Sequence, residues 1–123
     1  MDKVIHKELS YQIVGILFDV YNELGYGYQE KYYERAVEQY FIRKKLKYKN
    51  QPSYKLIVKD KEIGRYFLDF LVEDKVIVEL KVVPELIYIH HAQVINYLKA
   101  FSKEVGLLIN FGESKLKFKR FVK

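Results

Sequence analysis

Cysteine is missing altogether from the 123 residues, which excludes a disulfide framework, a thiolate metal site and a cysteine nucleophile. The absence agrees with an intracellular, cytoplasmic home. Proline occurs twice and glycine six times, and neither gathers into a linker. Internal repeats and low-complexity tracts are also lacking, so one domain spanning 1–123 is expected. No apolar run approaches the roughly 20 residues that a membrane-spanning helix needs. The opening Met1–Leu9 is charged and holds no apolar segment of the kind a signal peptide carries.

Half of the residues are apolar or aromatic, which excludes disorder. There are 22 basic and 16 acidic side chains, a formal charge of +6. Such a balance suits a polyanionic partner, most simply nucleic acid, or an anionic membrane surface; plain solubility accounts for it equally well.

The periodicity predicts a helix over 10–24, where Ile13, Ile16, Leu17, Val20 and Leu24 recur at helical spacing. Ser10 would cap its start, and Gly25 sits where a left-handed residue ends a helix. After the loop Gly25-Tyr26-Gly27-Tyr28, a second helix is expected from about Glu30 to Lys45, with Tyr33, Ala36, Val37, Tyr40 and Phe41 on one face. On spacing alone, Glu30 is explained by the favourable dipole of a helix start. A basic stretch, Lys47-Tyr48-Lys49, then leads to Pro52. Strands are expected at Ser53–Val58, Ile63–Val72 and Val76–Val83, the last stopped by Pro84. A third helix, Ile87–Phe101, would carry Ala92, Ile95, Leu98 and Phe101 as an apolar stripe, with Gln93 and Tyr97 one turn apart. Val105–Phe111 reads as a strand buried on both faces, and Lys115–Lys123 as a basic edge strand. Three meander strands followed by a helical crossover make a mixed sheet flanked by helices. With twelve tyrosines in so short a chain, Tyr32, Tyr33 and Tyr88 are expected to pack in the core, and tyrosines near a cleft could stack on unpaired bases.

Chemistry concentrates in Asp69-Phe70-Leu71-Val72-Glu73-Asp74-Lys75-Val76-Ile77-Val78-Glu79-Leu80-Lys81. Glu79 and Lys81 lie two apart on a strand and share a face, while Val76, Val78 and Leu80 take the other. A three-residue turn Glu73-Asp74-Lys75 pairs Val72 with Val76, and therefore sets Asp69 opposite Glu79. A two-residue turn would put Asp69 on the other face, among valines and without a partner, at high cost. Opposed carboxylates repel unless a cation or proton lies between them, and a divalent metal with oxygen ligands suits the pair. The competing account is an ion-pair cluster on an exposed sheet face.

Asp69, followed nine residues later by Glu79-Leu80-Lys81, resembles the active-site signature of the PD-(D/E)xK nuclease superfamily. Gln93 and Tyr97 resemble the QxxxY motif that several of its branches carry on the helix after the catalytic strand. Gly27-x-x-Glu30-x-x-Tyr33 resembles the motif that names one small family within it, the GxxExxY proteins. Leu68 stands where the superfamily name has proline. The resemblance implies an α/β (α+β mixed sheet) fold with a restriction-endonuclease-like core of helix-strand-strand-strand-helix-strand and an extra N-terminal helix. It implies a nuclease acting on DNA or RNA with Mg²⁺ or Mn²⁺. Asp69, Glu79 and the backbone carbonyl of Leu80 would hold the metal, with Glu30 as a third carboxylate. Lys81 would position the attacking water or stabilise developing charge, and Gln93 and Tyr97 would orient Lys81 or a phosphate. His90 would border the cleft and His91 lie at the surface. A homodimer would widen the basic surface. The alternative is a module on the same fold that binds nucleic acid or protein without cutting.

Overall fold

A computed structural model describes residues 5–123. The first helix, α1 (Lys7–Leu24), begins a turn earlier than its apolar spacing suggests. Its start follows His6, so Ser10 lies inside the first turn and is no cap. Gly25 ends it with φ 72°, and its N–H reaches Tyr21 O at 2.7 Å. The second helix, α2 (Glu30–Arg43), buries Tyr33, Val37 and Phe41, the positions the periodicity picks out.

Tyr48–Asn50 is a strand, β1, where the sequence suggests only a basic lead-in to Pro52. β2 (Ser53–Val58) and β3 (Lys61–Phe67) follow, then the short β4 (Phe70–Val72). The expected strand Ile63–Val72 is thus two strands in two sheets. β1 pairs with β4 and β2 with β3 in a register that carries across the join, Asn50 opposite Phe70 and Ser53 opposite Phe67, and shifts only at a bulge between Leu56 and Ile57. Between the two pairs, Gln51 N–H bonds Asp69 O at 2.9 Å and Leu68 N–H bonds Pro52 O at 3.1 Å. The four segments form one long ribbon, bent where Gln51 takes φ 53° and Pro52 has no N–H to give. Asp69 sits at the bend.

β5 (Val76–Lys81), α3 (Tyr88–Phe101), β6 (Val105–Asn110) and β7 (Lys117–Val122) complete the chain. The main sheet runs β1-β4-β5-β6-β7, and β2-β3 stands apart as a two-stranded arm. The expected three-strand meander is therefore absent. Only the base of the ribbon pairs with β5; its arm leaves the sheet. β5 and β6 are parallel and the other neighbours antiparallel, as a helical crossover between β5 and β6 requires.

Alternation along β5 divides the core. Val76, Val78 and Leu80 pack with α1 and α2, while Ile77 packs with Leu68, Leu71, Tyr97 and Leu98 on the α3 side. The buried stripe of α3 is Val94, Tyr97 and Leu98, shifted from the expected one; Ile95 is exposed. A side chain on Gly106 would meet Val94 Cγ1 at 2.8 Å, so the helix rests on the strand only because that position is glycine. β6 is buried along its whole length and β7 is the edge, both as expected. Of the tyrosines expected inside, Tyr33 is buried, but Tyr32 and Tyr88 are exposed. No helix of the described residues is long and apolar enough to cross a membrane.

Candidate active site

The β4–β5 connection sets the register on which the site depends. Glu73 and Asp74 both take left-handed backbone, φ 53° and 57°, and Lys75 N–H closes the turn on Val72 O at 2.9 Å. Val72 then faces Val76 and Phe70 faces Val78, which is the three-residue register. One step further along, Asp69 and Glu79 interlock. The Asp69 N–H donates to Glu79 Oε1 at 2.8 Å, and the Leu80 N–H donates to Asp69 Oδ2 at 2.7 Å.

Glu79 is 4% exposed. Burial raises its pKa, and the Asp69 carboxylate raises it further; the Asp69 amide and Lys81 oppose. Asp69 is raised as well, first by burial, against the Leu80 amide, with Glu30 and Glu34 adding and Lys81 subtracting. Burial first, and then mutual repulsion of the acids, thus outweigh the local positive charge, and the site favours protons. Such a site equally favours a cation.

α2 supplies the other acids. Gly27, at φ 109°, turns the chain so that Glu30 opens the helix. One turn on, Tyr33 donates its hydroxyl to Gly25 O at 2.6 Å and stacks on Phe111, centroids 4.3 Å apart at 10°. Glu30 is thereby fixed between a pinned loop and a buried ring. Carboxylate oxygens of Glu30, Glu34 and Asp69 all lie within 4.8 Å of one another. Burial raises the Glu30 pKa, Lys81 lowers it and Glu34 raises it. Glu34 escaped the sequence reading, although its spacing from Glu30 puts both on one helix face. Its Oε1 accepts from Asn50 Nδ2 at 2.8 Å.

On the α3 side, Lys81, Gln93 and Tyr97 line a common cavity of about 400 Å³. Gln93 Nε2 donates to the Tyr97 hydroxyl at 2.8 Å. Tyr97 is pushed up to about 12, by burial first and then by Glu79 and Asp69, so it stays a neutral phenol. His90 lines the same cavity, its Nδ1 accepting the Ile87 N–H at 3.0 Å. His91 is half-buried against Phe121. Tyr66, from the β2–β3 arm, closes the cavity from the other side; nothing in its local sequence marks it.

The structure therefore gathers Glu30, Asp69, Glu79, Lys81, Gln93 and Tyr97 at one place and adds Glu34 and Tyr66. A mixed sheet with helices on both faces, carrying an acid just before one strand and an acid and a lysine on its neighbour, defines the restriction-endonuclease-like class of fold. Residues 7–121 match the PD-(D/E)XK nuclease superfamily, and the chain belongs to it. Among solved structures it is similar to one titled "Crystal structure of SSO0001", at 18% identity and TM-score 0.58, over 73% of this chain. This chain spans about half of that protein, 48%, and a likeness at that identity concerns the fold alone. No curated protein matches.

Proposed function

We propose that the protein is a divalent-metal-dependent nuclease that hydrolyses phosphodiester bonds of DNA or RNA. The crowding of Glu30, Glu34, Asp69 and Glu79 around a single ammonium, Lys81, carries this reading. The donors are all oxygen, which suits Mg²⁺ or Mn²⁺. A bound metal would neutralise charge on the phosphate under attack and make a water nucleophilic.

Asp69, Glu79 and the Leu80 carbonyl are the groups assigned to hold it, with Glu30, supported by Glu34, as the further carboxylate. Lys81 positions the attacking water or meets the charge that develops on the phosphate. The Gln93–Tyr97 pair orients Lys81 or a substrate phosphate. The interlocked backbone of Asp69 and Leu80 keeps both strand ends in place when the carboxylates are charged.

The Gly27–Glu30–Tyr33 arrangement supports assignment to the GxxExxY branch, since each residue has its own part in presenting Glu30. We read the chain as one nuclease domain in the cytoplasm, with two-fold pairing as its way of widening a basic surface. Purified protein incubated with DNA and RNA substrates and Mn²⁺ or Mg²⁺ tests the activity. Cleavage should vanish in Asp69→Asn and in Lys81→Ala; cleavage that survives both would refute the assignment.

A further inference from the structure

The cavity beside Lys81 is larger than a metal and a phosphate require, and Tyr66, Ile89 and Asn96 in its walls have no part in holding either. One wall is Tyr66, carried on the arm that leaves the main sheet. The other is the face of α3 bearing Ile89, Gln93 and Asn96, spaced four and three residues apart and so aligned. Its volume of about 400 Å³ falls at the small end of the roughly 300–1,000 Å³ of sites that enclose one small molecule.

We propose that this slot receives one unpaired nucleotide, so that the substrate is a single-stranded or locally unpaired stretch of nucleic acid. The inference rests on the nuclease reading for the position of the phosphate at Lys81. The walls match a nucleobase in kind. Tyr66 offers an aromatic ring whose place is fixed by an edge contact with Tyr97, centroids 5.4 Å apart at 61°. Ile89 and Ala92 give apolar surface, and the two carboxamides offer both donors and acceptors to a base edge. Because the Gln93 amide nitrogen is engaged with Tyr97, its carbonyl oxygen remains as an acceptor. A base inside a duplex is stacked and paired, and reaches such a pocket only after extrusion. An unpaired base enters without that cost and gains stacking on an aromatic ring.

Binding is measured without metal by fluorescence anisotropy, so the result does not depend on cleavage. The probes are a short labelled DNA strand, the same strand as RNA, the blunt DNA duplex, and the DNA strand with its bases removed at successive positions. The single strand should bind about tenfold tighter than the duplex at equal salt. The abasic strand should fall to the duplex level, and the DNA and RNA arms show which strand the site takes. Tyr66→Leu and Asn96→Leu should each lower single-strand binding about tenfold and leave the duplex unchanged. Asn96 is exposed, so its variant folds even if Tyr66→Leu does not. Duplex binding as tight as the single strand, abasic binding as tight as the intact strand, or no binding at all would overturn the proposal. A protein that prefers single strands yet cuts nothing would refute the hydrolytic reading alone. An active nuclease that prefers duplex would refute the pocket alone.

Discussion

Asp69 and Glu79 hold each other's strands: the amide of one donates to the side chain of the other, and the side chain of Asp69 accepts the amide next to Glu79. Each carboxylate is therefore both a structural acceptor and a charge the fold would prefer to shed. Asp69→Asn keeps an oxygen for the Leu80 amide and removes the charge. The expected result is a metal-free protein stabilised by about 1 kcal/mol or more at pH 8, roughly 3–6 °C in Tm, that no longer binds Mn²⁺. Thermal unfolding and titration calorimetry measure the two effects together. A variant that is no more stable and binds Mn²⁺ as well as the parent would contradict the site.

The pH dependence follows from the same burial. Glu30, Asp69 and Glu79 all have pKa values raised in the folded state, so over that range the native chain binds more protons than the unfolded chain. Stability from the neutral carboxyls is fully present below roughly pH 4 and lost as pH rises through the raised values. Metal-free protein should therefore weaken from mildly acidic toward alkaline pH. Added Mn²⁺ should restore more Tm at high pH than at low, because it competes with protons for these oxygens. Tm across pH with and without Mn²⁺ tests this; a metal effect that does not grow with pH would contradict it.

That acid pair was legible in the sequence because strand alternation and turn length are local rules. Glu79 and Lys81 share a face by period alone, and the three-residue turn follows from the cost of hiding Asp69 among valines. The bent ribbon was not legible. Its break depends on a left-handed Gln51, which carries no glycine signal, and on β4 being claimed by β5 rather than continuing the arm. β1 was missed for a related reason: three residues, Tyr48-Lys49-Asn50, show no periodicity until their partner is known. Glu34 could have been found from its distance to Glu30 along a helix. Tyr66 could not, since only the arm's path brings it to α3.

In the proposed scheme Lys81 separates metal binding from turnover. It touches the balance of charge at Glu30, Asp69 and Glu79 but is not a metal ligand in the proposed scheme. Lys81→Met should bind Mn²⁺ as tightly as the parent or tighter and lose cleavage by about 10²–10⁴-fold. Calorimetry alongside single-turnover cleavage reads both; a variant that keeps its rate would remove Lys81 from the chemistry.

Tyr33 tests whether the loop before α2 positions Glu30. Tyr33→Phe keeps the stack on Phe111 and loses the hydroxyl bond to Gly25 O, a cost of about 1 kcal/mol in stability. If that bond sets the position of Glu30, Mn²⁺ affinity should fall more than stability does. Equal loss in Mn²⁺ affinity for Tyr33→Phe and Glu30→Gln would make the hydroxyl as necessary as the carboxylate it places. Unchanged affinity would reduce Tyr33 to a core residue.

Asn110 holds the far end of β5. It is fully buried, and its Oδ1 accepts the amides of Val83 at 3.0 Å and Gly112 at 2.9 Å. Its Nδ2 donates to Val83 O and to Glu113 Oε2, both at 2.8 Å. Lys81 pairs with Asn110 in the β5–β6 register, so this amide fixes the backbone immediately beyond the lysine. Leucine would fill the space and strand the Val83 amide and carbonyl and the Gly112 amide, each at roughly 1–3 kcal/mol. Aspartate replaces the acceptor but not the donor, and would set a second carboxylate against Glu113. Both variants should lose at least about 3 kcal/mol by denaturant unfolding. Gly112→Ala should do the same, since its Cβ would collide with the backbone carbonyl and amide of Val83. A well-folded Asn110→Leu protein of normal stability would show that the strand end is held by the sheet alone. Lys81 would then owe its position to β5 and not to this clamp.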